Sequence, residues 1–236
     1  MAAASSTPAV LSLQQASFAA EHRRSAAAAH LDLELQRGET ALIEVPDDDV
    51  AAALVDLCFG RSDPEAGAVA FMGVDWRALP ERERLGRRRR ISLVGGTGVW
   101  PAHLTVAEGV VLPRLYRTEQ SREEVMADAT ALARKFGLPG LPIDRSETTA
   151  RRSLVRAACV RGFLGTAELT VIQDSVLDEA AELATPLAQA VASVRERGGT
   201  TLWIAENLGA PGVRFVQADR VLRLGDRGFV AARRPT

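Results

Sequence analysis

The chain has 236 residues, 47% of them apolar and 25% charged, which suits a folded globular protein with a sizeable core and excludes a disordered or fibrous one. Its 29 basic and 30 acidic residues leave a net charge of −1, so no global field recruits nucleic acid or an anionic membrane. No apolar run reaches the ~18 residues of a membrane span, and the opening "MAAASSTPAV" lacks the basic-then-apolar pattern of a signal peptide, so a cytoplasmic protein is expected.

In chain order, residues 1–9 read as a disordered tail. "VLSLQQASF" and "HLDLELQRG" alternate apolar and polar residues, as half-buried strands do, the second ending in a turn at Gly38. "TALIEV" is a continuous apolar run, the mark of a strand covered on both faces. A helix from Asp49 to Phe59 stops at Gly60. "DPEAGAVAFMGVDW" reads as turn, short strand and turn, and "LPERERLGRRRR" as a charged helical or turn segment leading into the strand "ISLV". "SREEVMADATALARKFG" opens with a capping box, Ser121 with Glu124, and carries apolar residues at helical spacing. A further helix follows Ser146, then the strand "ELTVI", then a helix with Thr185 as N-cap and Pro186 at its first position. "TTLWIAE" and "RVLRL" complete the strands. The order predicts an α/β protein with a parallel central sheet. Cys58 and Cys159, the only cysteines, lie in apolar helical patterns and are expected as buried free thiols.

Several stretches together resemble the ATP-binding cassette (ABC) ATPase subunit of transporters, from about Val10 to Ala231 and in that family's order. "LCFGRSDPEAGAVAFMGVDW" resembles the stretch after the phosphate-loop helix, and "RRRRISLVGG" with "PAHLTVAEGVVLPRLY" the strand and glutamine loop before the helical subdomain. "SETTARRSLVRAACV" resembles the signature motif and its helix, "ELTVIQD" the Walker B strand, and "GGTTLWIAENL" with "ADRVLRLGDRGFVA" the last strands. "ARR" and "LTVAEGVVLP" lean toward the lipid-trafficking Mla-type (Mce-associated) ATPases. The resemblance implies a P-loop NTPase-like fold with an N-terminal antiparallel β subdomain. It also implies a single domain over residues 10–236, with a helical subdomain at approximately 100–165.

The residues that carry the family's chemistry differ. A phosphate loop of the form G-x-x-x-x-G-K-[ST] uses its glycines to curl backbone N–H groups around phosphate, its lysine to reach the terminal phosphates and its hydroxyl to bind Mg²⁺. The matching positions are Val45, Pro46, Asp47, Asp48, Asp49, Val50, Ala51 and Ala52, so the glycines are Val45 and Val50, the lysine is Ala51 and the hydroxyl is Ala52. No shift of frame supplies a lysine, because Lys135 is the only one in the chain. The three aspartates place negative charge where a polyanion would dock, and two unit charges ~4 Å apart repel by roughly 4 kcal/mol at an effective dielectric near 20. The same residues suit a helix N-terminus, which favours anions and takes Asp as a leading cap.

Elsewhere the adenine-stacking aromatic corresponds to Ala20 and the glutamine that senses Mg²⁺ to Gly96. The Walker B acids become Gln173 and Asp174, or Asp174 and Ser175 if the frame slips by one. Glu206 or Asn207 stands at the switch histidine, and Leu177–Asp178 resembles the D-loop two residues early. In the signature motif, which acts on nucleotide held by a partner subunit, Ser146 remains while the glycines become Glu147 and Thr148.

The expectation is therefore a degenerate ABC subunit in which these positions are vestigial, with no catalytic residue, no metal site and no cofactor. ATP and Mg²⁺ belong to the alternative, a divergent ATPase that still binds or slowly hydrolyses nucleotide. A third alternative is a soluble regulator on this fold. The resemblance implies a transmembrane permease as partner, a homodimer or a heterodimer with an intact ABC ATPase, and a peripheral place on the inner face of the cytoplasmic membrane. Arg87–Arg90 read as a solvated face or loop contact, and the glycines at 95–98 as a loop.

Overall fold

A computed structural model describes residues 8–18, 30–95, 100–173 and 181–233. The strands are β1 (Leu11–Ala16), β2 (Leu31–Leu35), β3 (Thr40–Glu44), β4 (Ala68–Phe71), β5 (Val74–Asp75), β6 (Ile91–Gly95), β7 (Leu169–Gln173), β8 (Thr200–Ala205), β9 (Arg220–Gly225) and β10 (Gly228–Ala231). The helices are α1 (Asp48–Cys58), α2 (Glu81–Arg88), α3 (Val106–Leu115), α4 (Arg122–Lys135), α5 (Arg151–Phe163) and α6 (Ala184–Glu196).

Two sheets form. The first, ordered β2-β1-β4-β5, is antiparallel throughout, and the alternation read in β2 becomes strict burial and exposure along its length. The second runs β10-β9-β3-β8-β7-β6. Its strands from β9 to β6 are parallel, and β10 adds an antiparallel edge. The continuous apolar runs sit in the middle of this sheet because both of its faces are covered. Along β3 the faces alternate: Ala41 and Ile43 pack into the core shared with α1 and the antiparallel sheet, while Leu42 packs into the core beneath α3–α6. The expected α/β architecture, with its N-terminal antiparallel part and helices inserted between β6 and β7, is the one that forms.

The capping box of α4 is present, with Ser121 accepting from the Glu124 N–H and Glu124 answering to the Ser121 N–H. α3 lies within the expected helical subdomain; Thr105 and Glu108 form a second capping box at its start, and Pro113 is accommodated inside it. One helical start differs from expectation. α6 begins at Ala184, after a 3₁₀ turn over Ala181–Leu183, so Thr185 is not its N-cap and Pro186 is not its first residue. Pro186 still lies in the first turn, where backbone N–H groups have no partner inside the helix and the missing donor costs little. Cys58 and Cys159 are buried free thiols, and burial pushes the Cys58 thiol up to about 12. The expected tail falls mostly outside the described residues.

Candidate functional site

The parallel strands β3, β8, β7 and β6 end along one edge, the edge where open α/β sheets place their ligands. β3 delivers the residue 45–52 segment there, β8 delivers Glu206 and Asn207, and β7 delivers Gln173. β8 lies between β3 and β7, so the first and third of these groups flank the second.

Only residues 45–47 separate β3 from α1. The Val45 N–H donates to the Ala205 carbonyl at 2.9 Å, which extends β3 by one rung, and the Val45 side chain is buried. Asp47 then turns the chain. Its backbone is extended, with φ −163 and ψ 171, and its Oδ1 accepts the Val50 N–H at 2.8 Å. Its carbonyl accepts the Ala51 N–H at 3.0 Å. Asp47 is therefore the N-cap of α1, one of the roles its residue type favours. Asp48 and Asp49 are exposed in the first turn, beside the positive end of the helix dipole. Val50 and Ala51, the residues expected at the second glycine and the lysine of the motif, are buried in the apolar core with Leu54 and Leu57, whereas Ala52 is exposed.

The neighbouring strand ends are also engaged by the chain itself. Glu44 closes β3 with an ion pair to Arg223 on β9. Asn207 Oδ1 accepts the Gly209 N–H at 2.8 Å and turns the chain after β8, and Glu206 beside it is exposed. Gln173 pairs in register with Gly95, and a Cβ on Gly95 would lie 2.3 Å from the Gln173 carbonyl oxygen. Only glycine allows β6 and β7 to end this close together. Ala20, Gly96, Asp174, Ser175, Leu177 and Asp178 fall outside the described residues.

Ser146, Glu147 and Thr148 belong to a different part of the molecule, the turn between α4 and α5. Thr148 and Thr149 each donate a hydroxyl hydrogen bond to the Arg145 carbonyl, at 3.2 and 2.8 Å. α5 starts only at Arg151, and its N-cap position, Ala150, makes no side-chain bond. Ser146 thus stands outside the helix N-terminus, and Glu147 is exposed. α5 is anchored by Glu182, which pairs with Arg152 at 2.5 Å and Arg156 at 2.9 Å. Arg156 also donates to the Phe136 and Gly137 carbonyls at the end of α4. Among the described residues no group of three or more His, Cys, Asp and Glu is placed to hold a metal ion, and no helix is long and apolar enough to cross a membrane. The arginine run proves to be a set of loop contacts: Arg88 donates to the Phe59 and Gly60 carbonyls and Arg87 to the Phe71 carbonyl, while Arg90 pairs with Glu168.

A parallel sheet ordered β9-β3-β8-β7-β6, a strand–turn–helix at its centre, an antiparallel sheet on one side and three helices inserted before β7 make up the fold of the ABC ATPase cassettes. No protein-family profile matches it. Its sequence is 26% identical over 208 residues to the thiamine import ATP-binding proteins ThiQ of Brucella suis and Brucella melitensis, covering 88% of this chain and 83% of theirs. It is 32% identical to the ATP-dependent lipid A-core flippase of Chromobacterium violaceum, over 92% of this chain but 37% of the flippase. Among solved structures, the dimeric bacterial ABC transporter cassette MJ0796 superposes with a TM-score of 0.76 at 18% identity, covering 93% of this chain and 96% of the other.

Proposed function

We propose that this chain is a non-catalytic subunit of an ABC transporter, one that retains the cassette as a structural or regulatory part and does not use ATP. The observation that carries this reading is the Asp47 carboxylate capping α1 on the Val50 N–H at 2.8 Å. In a working phosphate loop such N–H groups face the nucleotide. Here the chain's own carboxylate accepts one of them, two more aspartates follow, and the lysine position is a buried alanine. These residues do not fit a triphosphate with its magnesium, so no hydrolytic step is assigned to them. Gln173 at the Walker B strand end and Glu147 in the signature turn support the same reading.

The subunit's partners are a transmembrane permease and a second cassette, either another copy or an intact ATPase, on the inner face of the cytoplasmic membrane. MJ0796, whose solved structure is dimeric, supports the second of these. Two relatives are named for different cargo, thiamine in one case and the lipid A-core in the other. The resemblance of "ARR" and "LTVAEGVVLP" to lipid-trafficking cassettes favours a lipid. A second reading, a divergent ATPase, draws on the likeness to ThiQ proteins, which are named as ATP-binding. Phosphate release from Mg·ATP by the purified chain separates the two. The proposal expects no turnover above buffer, and turnover that disappears in an Asp174→Ala/Glu206→Ala variant establishes the second reading instead.

A further inference from the structure

Between the end of α4, the end of α5 and one face of α6 lies a cavity of about 400 Å³. Its apolar wall is made by Leu132, Ala190 and the stacked pair Phe136 and Phe163, whose ring centroids lie 5.9 Å apart with 18° between the planes. Its charged lining residues are Lys135 and Arg197, and among the described residues no carboxylate lines it. Gln189, Ser193 and Arg197 also line it; they follow at four-residue steps and so share one face of α6 and its C-cap. Glu196, beside Arg197 in the chain, lines a separate depression on the other side of α6.

Basic side chains at helix C-termini ordinarily serve the free carbonyls there. At both of these ends other groups do so. Arg156 donates to the Phe136 and Gly137 carbonyls that close α4, at 2.8 and 2.9 Å. α6 is closed by backbone alone: the Gly198 N–H donates to the Arg195 carbonyl at 2.8 Å and the Gly199 N–H to the Val194 carbonyl at 2.9 Å, with Gly198 turning the chain at φ +75. Lys135 and Arg197 make no hydrogen bond or ion pair among the described residues. Both are exposed, whereas Phe136 and Phe163 are buried. The cavity therefore has an apolar floor and a cationic rim whose charges the chain itself does not answer, which is the composition of a site for an amphiphilic anion.

We propose that this cavity binds a small organic anion with an apolar body, an arylalkyl or alkyl carboxylate. The carboxylate meets Lys135 and Arg197, with the Gln189 amide and the Ser193 hydroxyl as further donors, and the body lies against Leu132, Phe136 and Phe163. The volume falls in the range of small-molecule sites, about 300–1,000 Å³. Charge-assisted hydrogen bonds at the rim orient the ligand, and the aromatic floor selects its body. Such a ligand bridges α4, one of the inserted helices, and α6, which packs against β8, so it ties the insert to the central sheet. The inference stands apart from the transporter-subunit reading and does not depend on it.

The test uses the full chain with phenylbutyrate and phenylbutylamine, which share a body and differ in charge, and equilibrium dialysis reads binding. Phenylbutyrate is expected to bind saturably at one site per chain, and the amine to bind about tenfold or more weakly. Lys135→Glu/Arg197→Glu, both exposed positions, is expected to reverse that preference while thermal unfolding without ligand stays as in the parent. Ala190→Trp fills the cavity and leaves both cations in place, and it is expected to weaken phenylbutyrate about tenfold or more. Arg134→Glu, an exposed α4 residue that does not line the cavity, is expected to change the affinity by less than about twofold. Absence of saturable phenylbutyrate binding overturns the proposal, as does equal binding of the two compounds. Phenylbutyrate binding that survives both the charge reversal and Ala190→Trp overturns it too, because the ligand then sits elsewhere. Inorganic phosphate that displaces labelled phenylbutyrate as well as unlabelled phenylbutyrate does reduces the site to a bare anion contact and also overturns it.

Discussion

Replacing Asp47 by alanine tests the proposal that the chain's own carboxylate takes the place of a nucleotide at the start of α1. The substitution removes the Oδ1 that accepts the Val50 N–H at 2.8 Å and leaves that donor without a partner at the start of α1. Loss of an N-cap costs ~1 kcal/mol, within a range of about 0.5–2. For a chain of this length each kcal/mol shifts Tm by roughly 2–4 °C. Asp47→Ala is thus expected to lower Tm by about 2–4 °C in a calorimetric or circular dichroism melt. Asp47→Asn keeps the acceptor and loses only the charge, so it is expected to fall by less than half as much. Asp48→Ala and Asp49→Ala remove exposed first-turn charges that make no cap bond, and their losses are expected to shrink as salt is added. A loop waiting for an external anion behaves in the opposite way, since deleting one of three adjacent carboxylates relieves repulsion. An Asp47→Ala variant as stable as the parent, or more stable, refutes the reasoning.

Two further perturbations follow from the packing. Gly60 has φ +59 and a Cβ there would lie 2.4 Å from Trp76 Cδ2, so Gly60→Ala combines a left-handed backbone with an overfilled core. The sum is about 2–5 kcal/mol, read as a lower urea midpoint at unchanged slope. Asp219 couples the start of β9 to β3: its Oδ2 accepts the Thr40 N–H at 2.8 Å, and its own N–H donates to the Thr40 carbonyl at 2.8 Å. Burial pushes the Asp219 carboxyl up, but the Thr40 hydrogen bond and the Arg195 guanidinium outweigh it and hold the carboxyl below its ordinary range. A carboxyl depressed in the folded state stabilises above its ordinary pKa, and that contribution is lost as pH falls from there through the folded value. Asp219→Ala is expected to be less stable near neutrality and to show a shallower loss of urea stability below about pH 4 than the parent.

Much of the fold is legible in local pattern. The apolar runs of β3, β7 and β8 could only be strands covered on both faces, and Ser121 with Glu124 marks the start of α4. α3 is expected from the family resemblance, while its local signal is mixed: Val110, Val111 and Pro113 weigh against a helix, and Thr105 with Glu108 carries the capping-box spacing. The start of α6 was misplaced. Thr185–Pro186 is a strong local start signal, and the preceding 3₁₀ turn, with Leu183 and Ala184 buried in the core, overrides it. At the site, the Asp47 cap was readable from residue type, whereas the meeting of Asn207, Gln173 and the α1 turn depends on strand order.

Thermal unfolding with millimolar ATP, with and without Mg²⁺, decides whether the chain's own carboxylates stand in place of nucleotide, as proposed. A ligand at a hundred times its Kd stabilises the folded state by ~2.7 kcal/mol, which at this chain length raises Tm by several degrees. With the carboxylates in that place, Tm is expected to stay unchanged by nucleotide under both conditions. A rise of several degrees that saturates with ATP concentration, and that Asp47→Ala enlarges, contradicts it.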